Sequence, residues 1–134
     1  MNYVAGFMFN EDKDKVLLIE KQKPDWQKGK LNGIGGKIEK DELPYDAMVR
    51  EFKEEVGIEC NDWESFCLLI GDDWVVYFYK AIGPIHTAKQ IEIEKPVVVN
   101  VNELPDNIIT NLSWLIPMAK MKVNAKVEYR DIQR

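Results

Sequence analysis

The sequence predicts an α/β domain, a mixed β-sheet with helices on its faces. Three observations support this. The chain has 134 residues, 46% apolar and 31% charged, which fits a single folded domain over residues 1–134 with a core of ordinary size. Extended apolar segments lie on both sides of one amphipathic helical segment. A second helical segment follows late in the chain, and no internal repeat or low-complexity linker interrupts it.

Taken in order, "YVAGFMF" reads as a strand rich in aromatics, "NEDKDK" as a polar turn and "VLLIE" as the second arm of a hairpin. "KQKPDWQKGK" is a loop with Pro24, Gly29 and four lysines. "LNGIGGKIE" is glycine-rich, with an extended stretch from Ile34 to Ile38. "LPYDAMVREFKEEV" has helical period, and Gly57 stands where a C-terminal cap is expected. "WESFCLLI" and "WVVYFYKAI" form a hairpin through "GDD", and "HTAKQ" is a loop. "IEIEKPVVVNV" is extended, with Pro96 indicating an edge or a break. "NELPDNIITN" is a turn-rich connector. "LSWLIPMAKMK" reads as a helix that tolerates Pro117 only near its first turn, and Trp114 reads as core. The tail "VNAKVEYRDIQR" reads as an extended segment that frays at its end.

The net charge of −5 argues against binding long nucleic acid, which needs a broad basic surface. It leaves room for a small phosphorylated ligand held through metal ions. Cys60 and Cys67 lack metal-ligand spacing, and the single His86, read as a solvated loop residue, offers no zinc partner. Together with an N-terminus unlike a signal peptide and no membrane-length apolar run, this predicts a reduced, cytoplasmic setting without a membrane partner. Monomer and homodimer both remain open.

The segment from Gly36 to Ile58, "GKIEKDELPYDAMVREFKEEVGI", concentrates carboxylates. At about 100° per residue, Tyr45, Met48, Val49, Phe52 and Val56 share one arc, which reads as the buried face. Glu51, Glu54 and Glu55 share another, with Ala47 between Glu51 and Glu54 leaving open space above. Like charges three and four residues apart repel by a few tenths of a kcal/mol per pair. Arg50, four residues before Glu54, can orient that side chain but cannot neutralise three acids. A solvated acidic face is one reading, and Asp41 and Asp46 fit it. Two details favour a cation site for the glutamates. They sit near the helix C-terminus, where the macrodipole disfavours anions, and a glycine-rich turn able to approach phosphate precedes them. Hard oxygen ligands with no nearby His or Cys indicate Mg²⁺ or Mn²⁺.

Gly36, five residues, Glu42, seven residues and then "REFKEEVGI" resemble the Nudix box, Gly-x5-Glu-x7-Arg-Glu-U-x-Glu-Glu-x-Gly-U with U apolar. Every fixed position is met, with Phe52 and Ile58 at the U positions. The resemblance implies the Nudix fold, an α/β/α sandwich around a mixed sheet. It also implies hydrolysis of a nucleoside diphosphate linked to another moiety, with divalent cations. Glu51, Glu54 and Glu55 are then the metal ligands, joined by the Gly35 carbonyl. Arg50 orients the glutamates, Glu42 is a supporting acid, and Gly36 and Lys37 lie at the phosphates. Many members add a later acid, for which Glu92 and Glu94 are the nearest candidates. The chain departs from the family at Leu43, which precedes Pro44 where a Ser or Thr cap is common.

Outside the box, "WQKGKLNGIGGKIE" resembles the MutT-type and mammalian 8-oxo-dGTPase subgroup, which converts oxidised nucleotides to monophosphate and pyrophosphate. That resemblance places Asn32 against a purine, where an amide offers both donor and acceptor, although a turn residue beside Gly33 is the other reading. Lys21 matches a pocket lysine. Trp26 is a candidate for base stacking, or for packing. "KPVVVNVNELP" and "SWLIP" follow the subgroup's late region, but Thr110 and Asn111 stand where acids read the oxidised base. The expected activity is therefore Mg²⁺-dependent pyrophosphohydrolysis of nucleoside triphosphates. The alternatives are hydrolysis of ADP-ribose, dinucleoside polyphosphates or RNA 5′ caps, and nucleotide binding without cleavage.

Overall fold

The computed structural model describes residues 1–130, so the end of the predicted tail, 131–134, falls outside the described residues. The strands are β1 Asn2–Phe9, β2 Lys15–Glu20, β3 Leu31–Asn32, β4 Ile34–Lys37, β5 Glu64–Ile70, β6 Val75–Ile82, β7 Lys95–Asn100 and β8 Ala125–Glu128. The helices are α1 Pro44–Val56 and α2 Leu112–Ala119. The strands join in one sheet of order β3-β2-β1-β6-β5-β8, with β4 paired to β1 and β7 to β2. β1 runs parallel to β6, and β5 parallel to β8; the other pairings are antiparallel.

Period-two alternation assigns each strand residue to a layer. From β1 and β2, Val4, Met8, Leu17 and Ile19 pack with Met48, Phe52 and Val56 of α1. Phe7, Phe9, Val16 and Leu18 point the other way and pack with Leu112, Leu115 and Ile116 of α2. The result is the expected α/β/α sandwich. Because both faces are covered, these strands read as nearly continuous apolar runs. No helix among the described residues is long and apolar enough to cross a membrane.

One feature of the sheet makes the site. β1 and β2 pair only at Met8↔Leu17 and Phe9↔Val16 and then diverge. β4 takes the freed edge of β1, from Tyr3↔Lys37 to Gly6↔Ile34, while β3 takes the freed edge of β2. The chain crosses between the two edges at Gly33, where a Cβ would sit 3.1 Å from the Phe7 ring. The divergence opens a cleft in the sheet, and the glycine-rich segment lines it.

α1 starts at Leu43, whose side chain makes no capping bond, with Pro44 as its first residue. It ends at Gly57, whose φ of 75° is the left-handed conformation that glycine adopts without strain. Several sequence expectations are corrected. Ala47 is fully buried in the core, so it opens no space beside the glutamates. Tyr45 lies at the helix edge, partly exposed, and donates its hydroxyl to the Asn61 carbonyl. Trp114 is exposed because α2 seats Leu112, Leu115, Ile116 and Ala119 on the sheet, a row that excludes it. Pro117 lies in the second turn of α2, where the unpaired carbonyl four residues back belongs to exposed Ser113. Ile91–Glu94 leave the sheet, and β7 begins only at Lys95 and remains an edge, as Pro96 suggested.

Candidate active site

Arg50 organises the acids of α1. Its Nε and Nη2 donate to both oxygens of Glu42, each at 2.8 Å, a bidentate fork. Nη1 donates to Glu51 Oε1 at 2.8 Å and Glu54 Oε2 at 3.3 Å. Nη2 also donates to the Lys37 carbonyl at 3.1 Å, which ties the helix to β4. The hydrogen bonds from Arg50 hold the Glu42 carboxyl down at about 2, against the opposing effect of burial. Glu42 in turn raises the Arg50 pKa above its ordinary value.

The wheel expectation is revised here. Glu51 is half-buried at the margin of the sheet-facing side, whereas Glu54 is exposed. The room for Glu51 comes from Gly36, where a Cβ would lie 2.5 Å from its carboxylate. Burial raises the Glu51 pKa, opposed by the Arg50 hydrogen bond. Burial also raises Glu55, to about 7, with the charges of Glu94 and then Glu51 adding to the effect. Among the described residues, Glu55 Oε2 is buried without a hydrogen-bond partner. Glu94 is 6% exposed, and it accepts from the Gln22 amide at 2.7 Å and from Lys21 Nζ at 3.2 Å. Glu92 is exposed and its charge is the weakest of those acting on Glu55.

Among the described residues, no three acids converge as a preformed metal cage. Arg50 Nη1 holds Glu51 and Glu54, while Glu55 feels Glu94 most strongly. The donors nevertheless fit a divalent cation: all are hard oxygens, they repel one another, and Glu55 Oε2 is an orphaned buried acceptor.

The adjoining cleft has a volume of about 490 Å³. Lys21, Trp26, Asn32, Gly35, Gly36, Lys37 and Asn111 all line it, from four separate parts of the chain. Trp26 is 65% exposed, so it is not packed into the core. Asn32 lies between Gly33 and Gln27, accepting from the Gly33 amide at 2.8 Å and donating Nδ2 to Gln27 Oε1 at 3.0 Å. Asn111, just before α2, has a buried Oδ1 without a partner among the described residues. Sequence reasoning missed Gln27 and Trp74, which also line the cleft. The "GDDW" turn carried a signal for Trp74, an aromatic directly after a tight hairpin.

A sequence profile of the NUDIX domain matches residues 2–116. The Caenorhabditis elegans protein "Putative nudix hydrolase 1" is 33% identical over 114 residues, 80% of this chain and 31% of that protein. The Escherichia coli CTP pyrophosphohydrolase is 43% identical over 47 residues, 35% of either chain. The matches thus span well under half the length of these relatives. Among solved structures, a MutT Nudix hydrolase from Burkholderia pseudomallei superposes with a TM-score of 0.72 at 20% identity, over 90% of this chain and 99% of that one. The NUDIX domain of Shewanella oneidensis NrtR complexed with ADP ribose gives 0.73 at 20% identity, over 90% and 86%. These structures share the fold. With the domain profile covering residues 2–116, the chain belongs to the Nudix family.

Proposed function

We propose that the chain is a nucleoside triphosphate pyrophosphohydrolase dependent on Mg²⁺ or Mn²⁺. It releases a nucleoside monophosphate and pyrophosphate, and oxidised purine nucleotides such as 8-oxo-dGTP fall within its range. The observation that carries this reading is one cleft lined by two chemically different groups of residues. Gly36 and Lys37 of β4 line it, and Gly36 adjoins Glu51 of α1; Asn32 and Asn111 line the same cleft with amides suited to a base.

Glu51, Glu54, Glu55 and the Gly35 carbonyl would hold the cation, with Glu94, rather than Glu92, as the later acid. Once bound, the cation supplies charge neutralisation of the polyphosphate and acidification of the attacking water. The chain's own residues do the rest. Glu42 fixes Arg50, and Arg50 fixes Glu51 and Glu54. Lys37 offers a cation to the phosphates, and Lys21 holds Glu94 in place through its Nζ contact. Carboxylates beside the reacting phosphate accept the water proton.

The test is phosphate release from a panel of nucleoside triphosphates, with inorganic pyrophosphatase added and Mg²⁺ present. The expected result is turnover that requires the added pyrophosphatase for signal. Silence on every triphosphate, with turnover of ADP-ribose or dinucleoside polyphosphates, refutes the proposal. Tight nucleotide binding without turnover refutes it in favour of a sensor.

A further inference from the structure

We propose that Gln27 is a positioning residue for base recognition: it locks the Asn32 amide in one orientation, so that its donor and acceptor reach the cleft in fixed order. The inference rests on reading this cleft as a nucleotide site.

The lock follows from valence. The Gly33 amide can only donate, so Asn32 must turn Oδ1 towards it, and this bond is 2.8 Å long. Nδ2 then points the other way and can only donate. It meets Gln27 Oε1 at 3.0 Å, so Gln27 too must present its oxygen. Flipping either amide sets donor against donor. After these two bonds, Asn32 still has one N–H and one oxygen lone pair. An amide so held fits a base edge with an acceptor beside a donor, and only half-fits an edge with two acceptors. A freely flipping amide would not distinguish the order.

The anchor of the lock is also fixed. Gln27 sits in a short 3-10 turn, Asp25–Gln27, in the loop between β2 and β3. Its N–H donates to the Pro24 carbonyl at 2.9 Å, and its carbonyl accepts from Lys30 at 2.8 Å. The base of the loop is closed by Lys21 donating to the Lys30 carbonyl and Gly29 donating to the Lys21 carbonyl, both at 2.8 Å. Truncating the Gln27 side chain therefore removes the lock while leaving the backbone ties. A Glu at position 27 keeps the accepting oxygen, whereas a Leu does not.

The experiment measures KM and kcat for ATP, GTP, CTP, UTP and 8-oxo-dGTP with the full chain, Gln27→Leu and Gln27→Glu, alongside thermal unfolding. Gln27→Leu should raise KM for the preferred nucleotide about tenfold and flatten the preference between bases by a similar factor, with kcat changing less than about threefold. Gln27→Glu should keep the wild-type preference. A Gln27→Leu variant with unchanged preference, or a Gln27→Glu variant as impaired as Gln27→Leu, overturns the proposal and leaves the bond as a loop brace. The Asn32 side-chain amide signal in a 15N-resolved NMR spectrum provides a second readout. It should move when a nucleoside monophosphate is added to the wild type and shift from its wild-type position in Gln27→Leu but not in Gln27→Glu. If the wild type binds no nucleotide, the reading of the cleft fails and the inference falls with it. If nucleotide binds and Gln27→Leu behaves as wild type, the inference alone fails.

Discussion

Gly36→Ala separates the catalytic role of the glycine-rich strand from its folding role. The backbone at Gly36 needs no left-handed conformation, and Ala in a strand is about 0.5–1 kcal/mol more favourable than Gly, so the fold itself has little objection. The objection comes from Glu51. A Cβ at residue 36 lies 2.5 Å from its Cδ and Oε2 and 2.7 Å from Oε1, whereas ordinary contact begins at 3.4 Å. The carboxylate must therefore retreat by about an ångström, against its 2.8 Å bond to Arg50. A misplacement of about 1 Å at a reacting centre lowers rate by roughly 10²-fold, or about 2.7 kcal/mol of barrier. Expected, then, is a kcat loss near two orders of magnitude with a Tm within about 5 °C of wild type. Gly35→Ala is the contrast: its Cβ would overlap the Val4 carbonyl oxygen, which is backbone and cannot yield without parting β1 from β4. That variant should lose stability outright. The assay pairs thermal unfolding with turnover of a nucleoside triphosphate in Mg²⁺. Wild-type kcat in Gly36→Ala, or instability matching Gly35→Ala, would refute the steric argument.

Arg50→Lys replaces a fork that holds Glu42 with a point charge, and should destabilise the chain by about 2 kcal/mol in urea unfolding while also lowering turnover. Glu42 has a folded pKa of about 2 against an ordinary 4.5, so its contribution is present above pH 4.5 and lost as pH falls towards 2. Unfolding free energies measured across that window should fall more steeply in wild type than in Glu42→Gln. Glu94→Gln should cut turnover far more than Glu92→Gln, because only Glu94 is buried against Glu55 and Lys21; kinetics showing the reverse order would reassign the later acid.

Much of the candidate site was legible because it is local. One helix carries Arg50, Glu51, Glu54 and Glu55 at spacings a wheel can resolve, and Gly57 closes it by a conformation only glycine adopts freely. What failed was the phase of that wheel. On the wheel, Ala47 looked like the gap beside the acids, and Glu51, Glu54 and Glu55 fell on an arc apart from the buried one. In the fold, Ala47 packs into the core and Glu51 and Glu55 are both half-buried, Glu51 against the space that Gly36 leaves without a side chain. Trp114 failed for a similar reason: its character is apolar, but it lies off the row that α2 turns towards the sheet.

The sequence alone determined the family, the central helix and the layered fold, since each rests on spacing within short stretches. Only the tertiary structure decided which later acid is buried against Glu55, where the room for Glu51 comes from and what holds Asn32. Those depend on contacts between segments far apart in the chain, such as Glu94 with Lys21 and Gln22, or Gly36 with Glu51. The first set continues the β2–β7 pairing, which places Glu20 opposite Lys95, and the second follows from β4 taking the edge of β1; both are properties of the assembled sheet that no local pattern of residues encodes.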